Sequence, residues 1–465
     1  MASFYVKNFG CRAAQADGAA IEEQFRRLGL ESAESADRAG IVVLNTCTVT
    51  ASADQDARSA IRKIHRENPD CQIVVTGCYA QRAPQEIGNL PGVRKVVGNS
   101  HKHRLAEIVL AASSLDSHVS PNLISITDLQ SSPAGLFVSD IFAHTELLAA
   151  PVFDAANERT RPNLKVQDGC NNRCSFCVIP YVRGQSRSLP LDRTLLEVKS
   201  LVSSGYREVV ISGINLGRWG RDLNATTNNR KSRFEDLVRA ILAETSLEKL
   251  RISSIEPMDW SDELISMMAK SPRIAKHAHV PMQSGSDRVL RLMHRKYRPW
   301  HYREKIEQIR AAMPDAAIGA DVMTGFPGES DADFEKTRRM LEDLPFTYLH
   351  VFTYSPRPGT PAATIANQVP VQVSRERNRN LRELAEEKKS VFMRSFIGRR
   401  IEAISLNERY DGPDGIATEA LTHNYLKLRL AGGHPANHWM HVQVNRVEAG
   451  SLVGGLAENP SDSAA

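Results

Sequence analysis

Apolar positions in the first hundred residues come in two rhythms. "SFYVKNFGC" (3–11), "AGIVVLNTC" (39–47) and "CQIVVTGC" (71–78) are short apolar runs closed by Gly or Cys, which reads as buried strands. "DGAAIEEQFRRLGL" (17–30) and "SADQDARSAIRKIHREN" (52–68) repeat their apolar residues at helical spacing. Strands alternating with helices predict a parallel α/β sheet. The rhythm returns from about residue 162. Six further strands are predicted: "NLKVQDG", "EVVISGI", "LEKLRISSI", "AKHAHVPM", "AAIGADVMTG" and "YLHVFTYS". Six such units make an open (βα)6 barrel, with its site at the carboxyl ends of the strands. Residues 374–396 read as one charged helix, with Leu381, Leu384, Ala385, Val391 and Phe392 as a partial apolar stripe. Beyond Gly398 the period falls to two, which predicts a small β-barrel. The fold class is therefore α/β with a C-terminal β-barrel. The predicted boundaries are 1–112, a linker at 113–155 rich in Ser, Ala, Asp and Pro, a core at 156–388, and the barrel at 389–458. The tail "ENPSDSAA" is expected to fray.

Composition adds little to this picture and one point of chemistry. A hydrophobic share of 42% over 465 residues is ordinary for a globular chain of about three domains. The start shows no signal-peptide pattern, and no apolar run approaches the roughly 20 residues of a membrane helix. A cytoplasmic protein with no membrane partner is expected. A net charge of +5 permits a nucleic-acid partner without demanding one. The seven cysteines, an odd number in a reducing compartment, read as metal ligands or catalytic groups, not as disulfides.

Three of them stand in "CNNRCSFC": Cys170, Cys174 and Cys177, after the first strand of the second α/β unit. Structural zinc takes four ligands, and no second Cys pair or spaced His follows. An iron–sulfur cubane held by three thiolates leaves one iron open for a ligand. Cys11, Cys47 and Cys78 each follow the last apolar residue of a predicted strand. Carboxyl ends of parallel strands share one edge, so these three thiols can meet in space; buried, inert thiols are the competing reading. Cys71 opens its strand and belongs to the other edge. His277 and His279 alternate on one strand and share a face, for metal ligation or for hydrogen-bonded packing.

"CNNRCSFC", with Phe176 before the third Cys, resembles the signature of the radical S-adenosylmethionine superfamily. "NTCTVT", "VTGCYAQ", "SGINLG", "RISSIEP", "HVPMQSGSD", "TGFPGE" and "YSPRPGTPA" extend the resemblance to the methylthiotransferases, over nearly the whole chain. "NTCTVTASAD" and "GINLGRWG" look like the branch acting on threonylcarbamoyladenosine in tRNA. The resemblance implies an N-terminal cluster domain, a radical core and a C-terminal TRAM barrel. It implies two [4Fe-4S] clusters, one on Cys170, Cys174 and Cys177 that binds S-adenosylmethionine and generates a radical, and one on Cys11, Cys47 and Cys78 that carries sulfur. Gly213, Glu256, Gln283 and Asp321, at strand ends, are candidate contacts to S-adenosylmethionine. The implied partners are a tRNA anticodon stem-loop and a low-potential electron donor, with no DNA. Arg183, Arg187, Tyr425 and Lys427 are candidate RNA contacts. Arg375, Arg377, Arg379, Lys388, Lys389, Arg394, Arg399 and Arg400 offer a second basic surface, or a solvated helix. The family commonly has Asn three residues after the first Cys. Here that place is Ala14, so polar support must come from elsewhere, with Gln15 and Asp17 nearest.

The competing readings are the same chemistry on isopentenyladenosine or on a ribosomal-protein aspartate, and a non-catalytic iron–sulfur RNA-binding protein.

Overall fold

The computed structural model describes residues 3–111, 134–144, 147, 160–223, 232–412 and 415–457. The expected frayed tail, and most of the linker, lie outside these residues.

The first unit is a parallel sheet of six strands: β1 (Ser3–Asn8), β2 (Glu31–Ser32), β3 (Ile41–Thr46), β4 (Gln72–Gly77), β5 (Val93–Gly98) and β6 (Gly135–Phe137), in the order β2-β1-β3-β4-β5-β6. Helices Arg12–Arg27 and Ala51–Glu67 pack on it. Thr50 caps the second by accepting from the Ala53 N–H at 3.2 Å. β3 is buried at every position, as expected for a central parallel strand. Two differences from the sequence reading have plain causes. "GVRKVVGN" interrupts its apolar run with two cations, yet Lys95 is buried because its ammonium donates to the carbonyls of Ile108 and Val109 (2.7 and 2.8 Å). β6 lies inside the stretch read as linker and pairs with β5, so this sheet extends beyond residue 112.

The second unit contains all six predicted parallel strands: β7 (Asn163–Asp168), then, after the two-residue antiparallel β8 (Arg187–Ser188), β9 (Glu208–Gly213), β10 (Lys249–Ile252), β11 (His277–His279), β12 (Ala317–Thr324) and β13 (Tyr348–Thr353). One sheet runs β10-β9-β7-β8 and another β11-β12-β13, linked by a parallel bridge between Leu250 and Ile274. The result is an open barrel with one continuous apolar layer between strands and outer helices. Helix Val371–Arg394 covers the last strands and buries Leu381 and Ala385. It leads into a closed five-stranded barrel of β14 (Arg400–Gly412), β15 (Gly415–Thr422), β16 (Lys427–Ala431), β17 (Trp439–Glu448) and β18 (Ser451–Leu456), ordered β14-β15-β16-β18-β17. No helix among the described residues is long and apolar enough to cross a membrane.

The units are joined by buried charge. Asp17, on the first helix, accepts from Lys102 (3.0 Å), from Lys165 on β7 and from Arg183 (3.0 Å). Asp168, at the end of β7, pairs with the same Lys165 and Arg183 (2.9 Å each). A second joint pairs Asp54 with Arg82 (2.9 Å) and with Arg357 from the core. The C-terminal barrel is held through Lys249–Glu402 (3.0 Å) and Arg399–Asp315 (2.5 Å).

Burial alone would raise the pKa of Asp17; Lys102, Lys165 and Arg183 together outweigh it and hold the carboxyl well below its usual range. Its contribution is therefore complete above the ordinary carboxylate range and fades only as pH falls through the depressed folded value. Asp17→Ala leaves buried cations short of a partner and is expected to cost roughly 3–5 kcal/mol in urea unfolding. Between about pH 5.5 and pH 7 the deficit should stay constant, since the carboxyl is ionised in both folded and unfolded chains. A deficit that disappears towards neutral pH would contradict this account.

Candidate functional site

Parallel register sets the first thiol group. Asn8 pairs with Asn45, and Thr46 with Gly77, so the residues that follow β1, β3 and β4 emerge on one rim. Cys11, Cys47 and Cys78 are those residues. Gly10 holds φ at +93°, and a Cβ there would lie 2.6 Å from Cys47 Cβ, so only glycine lets the two loops approach. The Cys47 thiol is pushed up to about 11, first by burial and then by the neighbouring Cys78 and Cys11. Asn99 donates to Cys78 Sγ at 3.6 Å and to the carbonyl of Val182 at 2.7 Å, tying this rim to the core barrel. Cys71 lies at the start of β4, buried among the apolar residues of the sheet.

The second group stands on the loop after β7. Cys170 Sγ accepts from the backbone of Asn172 (3.4 Å) and from the Asn215 side chain (3.5 Å). Cys174 Sγ accepts from Arg295 at 3.2 Å, and the same guanidinium pairs with Glu256. Ser175 anchors the loop by donating to the Leu292 carbonyl at 2.7 Å. Cys177 is pushed up to about 12 by burial, and by Cys174 and Cys170 beside it. Thiols this crowded keep their protons until a cation replaces them.

The donor set says what kind of cation fits: each group offers three thiols close enough to act on one another, the number that holds an iron–sulfur cubane with one iron left open. A separate set, His279, Asp321 and His350, brings three ligand atoms within 4.8 Å of one another. Cofactor-sized polar demand is also present. Ser212 Oγ, Asn215 Oδ1 and Gln283 Oε1 are buried at strand ends without a hydrogen-bond partner among the described residues.

Of the candidate cofactor contacts, Gly213, Glu256 and Gln283 lie at or beyond strand ends, whereas Asp321 is inside β12. Gly213 ends β9, and a Cβ there would meet Gln167 at 2.9 Å. Glu256 opens a short turn after β10, with its carboxylate on Arg295. Gln283 holds φ at +63° and donates its N–H to the Asp321 carbonyl at 2.8 Å. Asp321 Oδ1 faces His279 (3.2 Å) and His350 (3.3 Å). Burial would raise its carboxyl; the two histidines keep it well below the usual range. His277 and His279 do share a face, and both meet the Tyr348 hydroxyl (2.7 and 2.9 Å).

Two candidate RNA contacts are corrected. Arg183 is buried, and its guanidinium is taken by Asp17 and Asp168, so it offers nothing to a phosphate. Tyr425 is not an exposed face of the C-terminal barrel. It reaches into the floor of the core barrel, with its ring 4.5 Å from His277 and its hydroxyl 3.0 Å from Arg12. Lys427 is exposed beside Glu419 (3.0 Å), and Arg187 is half-buried, donating to the His144 carbonyl at 3.4 Å. Of the second basic surface, Arg377 is buried on Glu329 (2.7 Å), and Lys388 donates to the Glu342 carbonyl (2.7 Å). Sequence reasoning missed Arg295, Asn215, Asn99, Lys102 and Lys165. Each is a single polar residue with a partner far away in the chain, so no spacing announced it.

Two clusters of four irons predict about eight iron and eight sulfide per chain. Cys174→Ala should remove about four of each, and Cys47→Ala the other four, read by anaerobic iron and sulfide assay. Loss of all eight from either single replacement would show that the two triads are not separate sites.

Known proteins share this arrangement. Residues 3–98 match the family described as "Uncharacterized protein family UPF0004", and residues 164–341 match the radical SAM superfamily. The threonylcarbamoyladenosine tRNA methylthiotransferase MtaB of Aquifex aeolicus is 35% identical over 92% of this chain and 96% of its own. The protein of that name in Bacillus subtilis is 33% identical over 93% of this chain and 91% of its own. The tRNA-2-methylthio-N(6)-dimethylallyladenosine synthase of Novosphingobium aromaticivorans is 34% identical over 86% of both. Among solved structures, the radical S-adenosylmethionine methyltransferase TsrM of Kitasatospora setae aligns with a TM-score of 0.55 at 16% identity, covering 78% of this chain and 75% of that one, a likeness of fold alone. Two family matches in sequence order, relatives similar from end to end, and two separate thiol triads make this chain a member of the radical S-adenosylmethionine methylthiotransferase family.

Proposed function

We propose that this enzyme methylthiolates carbon 2 of N6-threonylcarbamoyladenosine at position 37, beside the anticodon of a cytoplasmic tRNA. The observation that carries the chemistry is the pair of three-thiol rims, one on each α/β unit, locked together through Asp17. The substrate is supported by relatives named for it, 32–35% identical and similar over most of their length. When bound, the two clusters and S-adenosylmethionine supply the radical needed at an unactivated aromatic carbon, and the methyl and sulfur that replace its hydrogen.

The chain's own residues supply binding and electrostatics. Arg295 donates to Cys174, and Asn172 and Asn215 donate to Cys170, so both sulfurs are held in place by hydrogen bonds. Burial would lower the pKa of Arg295, but Tyr297, Glu256 and Cys174 around it keep it raised and firmly charged. Gly213, Glu256, Gln283 and Asp321 form our proposed bed for S-adenosylmethionine, which gives the unpartnered Ser212, Asn215 and Gln283 atoms beside it something to bind. Lys427 and Arg187 remain the proposed contacts to the stem-loop, and a low-potential reductant is the proposed electron source. An anticodon loop suits this reading because its bases leave their stack at low cost.

The second reading, isopentenyladenosine as substrate, rests on the Novosphingobium relative at 34% identity. Nucleoside mass spectrometry on a deletion strain separates the two. The methylthio mark should vanish from threonylcarbamoyladenosine and persist on isopentenyladenosine. The reverse pattern would transfer the assignment to the second substrate.

A further inference from the structure

The floor of the core barrel holds more positive charge than it neutralises. Glu208, fully buried at the start of β9, is shared by Arg251 (2.6 Å) and Arg161 (3.7 Å). Arg12 enters the same space from the first residue of the N-terminal helix. Its charge is felt by Arg161, His277 and Tyr348. Its Nη2 donates to the Tyr425 hydroxyl at 3.0 Å, and among the described residues no carboxylate lies within ion-pair distance of it. Arg12 also adjoins Cys11 in the chain, so this floor is close to the N-terminal thiol rim.

Two further observations mark the place as built for a ligand. Asn163, at the start of β7, donates to the Arg12 carbonyl at 3.0 Å, while its own Oδ1 is buried and lacks a hydrogen-bond partner among the described residues. Buried acceptors are nearly always matched, so an unmatched one calls for a donor. Tyr425 holds φ at +71°, a left-handed conformation that costs energy in a residue with a Cβ and persists where surroundings impose it. The loop between β15 and β16 keeps that strain while delivering the phenol onto His277 and Arg12. Gly319 lets the Tyr348 ring pack close against β12: a Cβ there would sit 2.0 Å from that ring.

Resting on the substrate reading above, we propose that Arg12 and Asn163 form the subsite for the threonyl group, Arg12 binding its carboxylate and Asn163 Oδ1 accepting from its hydroxyl. An anion and a hydroxyl donor are what distinguish a threonylcarbamoyl group from an isopentenyl group. An unmatched cation and an unmatched acceptor are what this floor presents. Tyr425 positions the guanidinium. An apolar tail here would bury Arg12 without a partner, so the floor rejects it as well as accepting the acid.

The test uses the full chain with both clusters loaded, and anticodon stem-loop RNA bearing either threonylcarbamoyladenosine or its neutral methyl ester. With the acid, Arg12→Gln should lower kcat/KM roughly 10- to 100-fold, the range for a lost charge-assisted hydrogen bond. Arg12→Lys should recover part of it. With the ester, the parent enzyme should show the same loss, and Arg12→Gln should add little, while iron content stays at the parent level. If esterification and Arg12→Gln multiply independently, Arg12 does not bind the carboxylate and the inference fails, with the substrate reading intact. If the parent enzyme ignores threonylcarbamoyl RNA altogether, the substrate reading fails and takes this inference with it.

Discussion

The buried cluster of Asp17, Asp168, Lys102, Lys165 and Arg183 decides how the molecule is assembled. Three cations meet two carboxylates where the N-terminal helix crosses the first strand of the core barrel. Desolvating five charges is favourable only when every one finds a partner, so the geometry admits one docking of the two units. The excess cation has a use. The Arg183 charge is felt by Cys78, Cys11 and Cys47, and Lys102 by Cys78. The joint that fixes the rims therefore also places positive charge beside the N-terminal thiols. Asn45 reinforces it from the strand side, donating to the Ala14 carbonyl at 2.6 Å, so the turn after Cys11 is tied down through its backbone.

The C-terminal barrel is part of the same construction. It docks beneath the core barrel through Lys249–Glu402 and Arg399–Asp315, with Asn424 donating to the Asp315 carbonyl at 2.9 Å. Arg251 reaches the carbonyls of Thr422 and His423 (3.4 Å each) while holding Glu208. Tyr425 then closes the floor and meets Arg12 from the opposite unit. All three units contribute side chains to one lumen, with thiols at its mouth and cations at its base. A module that a sequence reader assigns to RNA binding thus also shapes the interior.

Polar groups in the lumen divide into the satisfied and the unsatisfied, and the division follows function. Gln167 is saturated: its amide donates to Asp168, Gly169 and Ser186, and its oxygen accepts from Asn215 at 2.6 Å. That saturation holds the Cys170 loop rigid. Among the described residues, Ser212, Asn215, Gln283 and Asn163 each keep a buried atom without a hydrogen-bond partner, all in or near core strands. Rigid support with unmet donors and acceptors facing inward is the pattern of a preorganised site.

The sequence alone determined most of the elements and the two groups of three cysteines. Short apolar-rich runs alternating with segments of helical period expose all six core strands, because parallel strands joined by helices are buried on both faces. Cys-x3-Cys-x2-Cys is local, so its meaning survives without a fold. The strand-end positions of Cys11, Cys47 and Cys78 predict one rim, because parallel register puts carboxyl ends together. Burial of charge lay beyond its reach. Arg183 and Tyr425 looked like surface contacts because composition marks such residues as polar, and only partners 166 and 413 residues away turned them inward. Arg377, on Glu329, and Lys165, on Asp17, follow the same rule. Whether a charge is solvated or buried depends on a counter-charge that chain distance hides, and tertiary structure alone brings the two together.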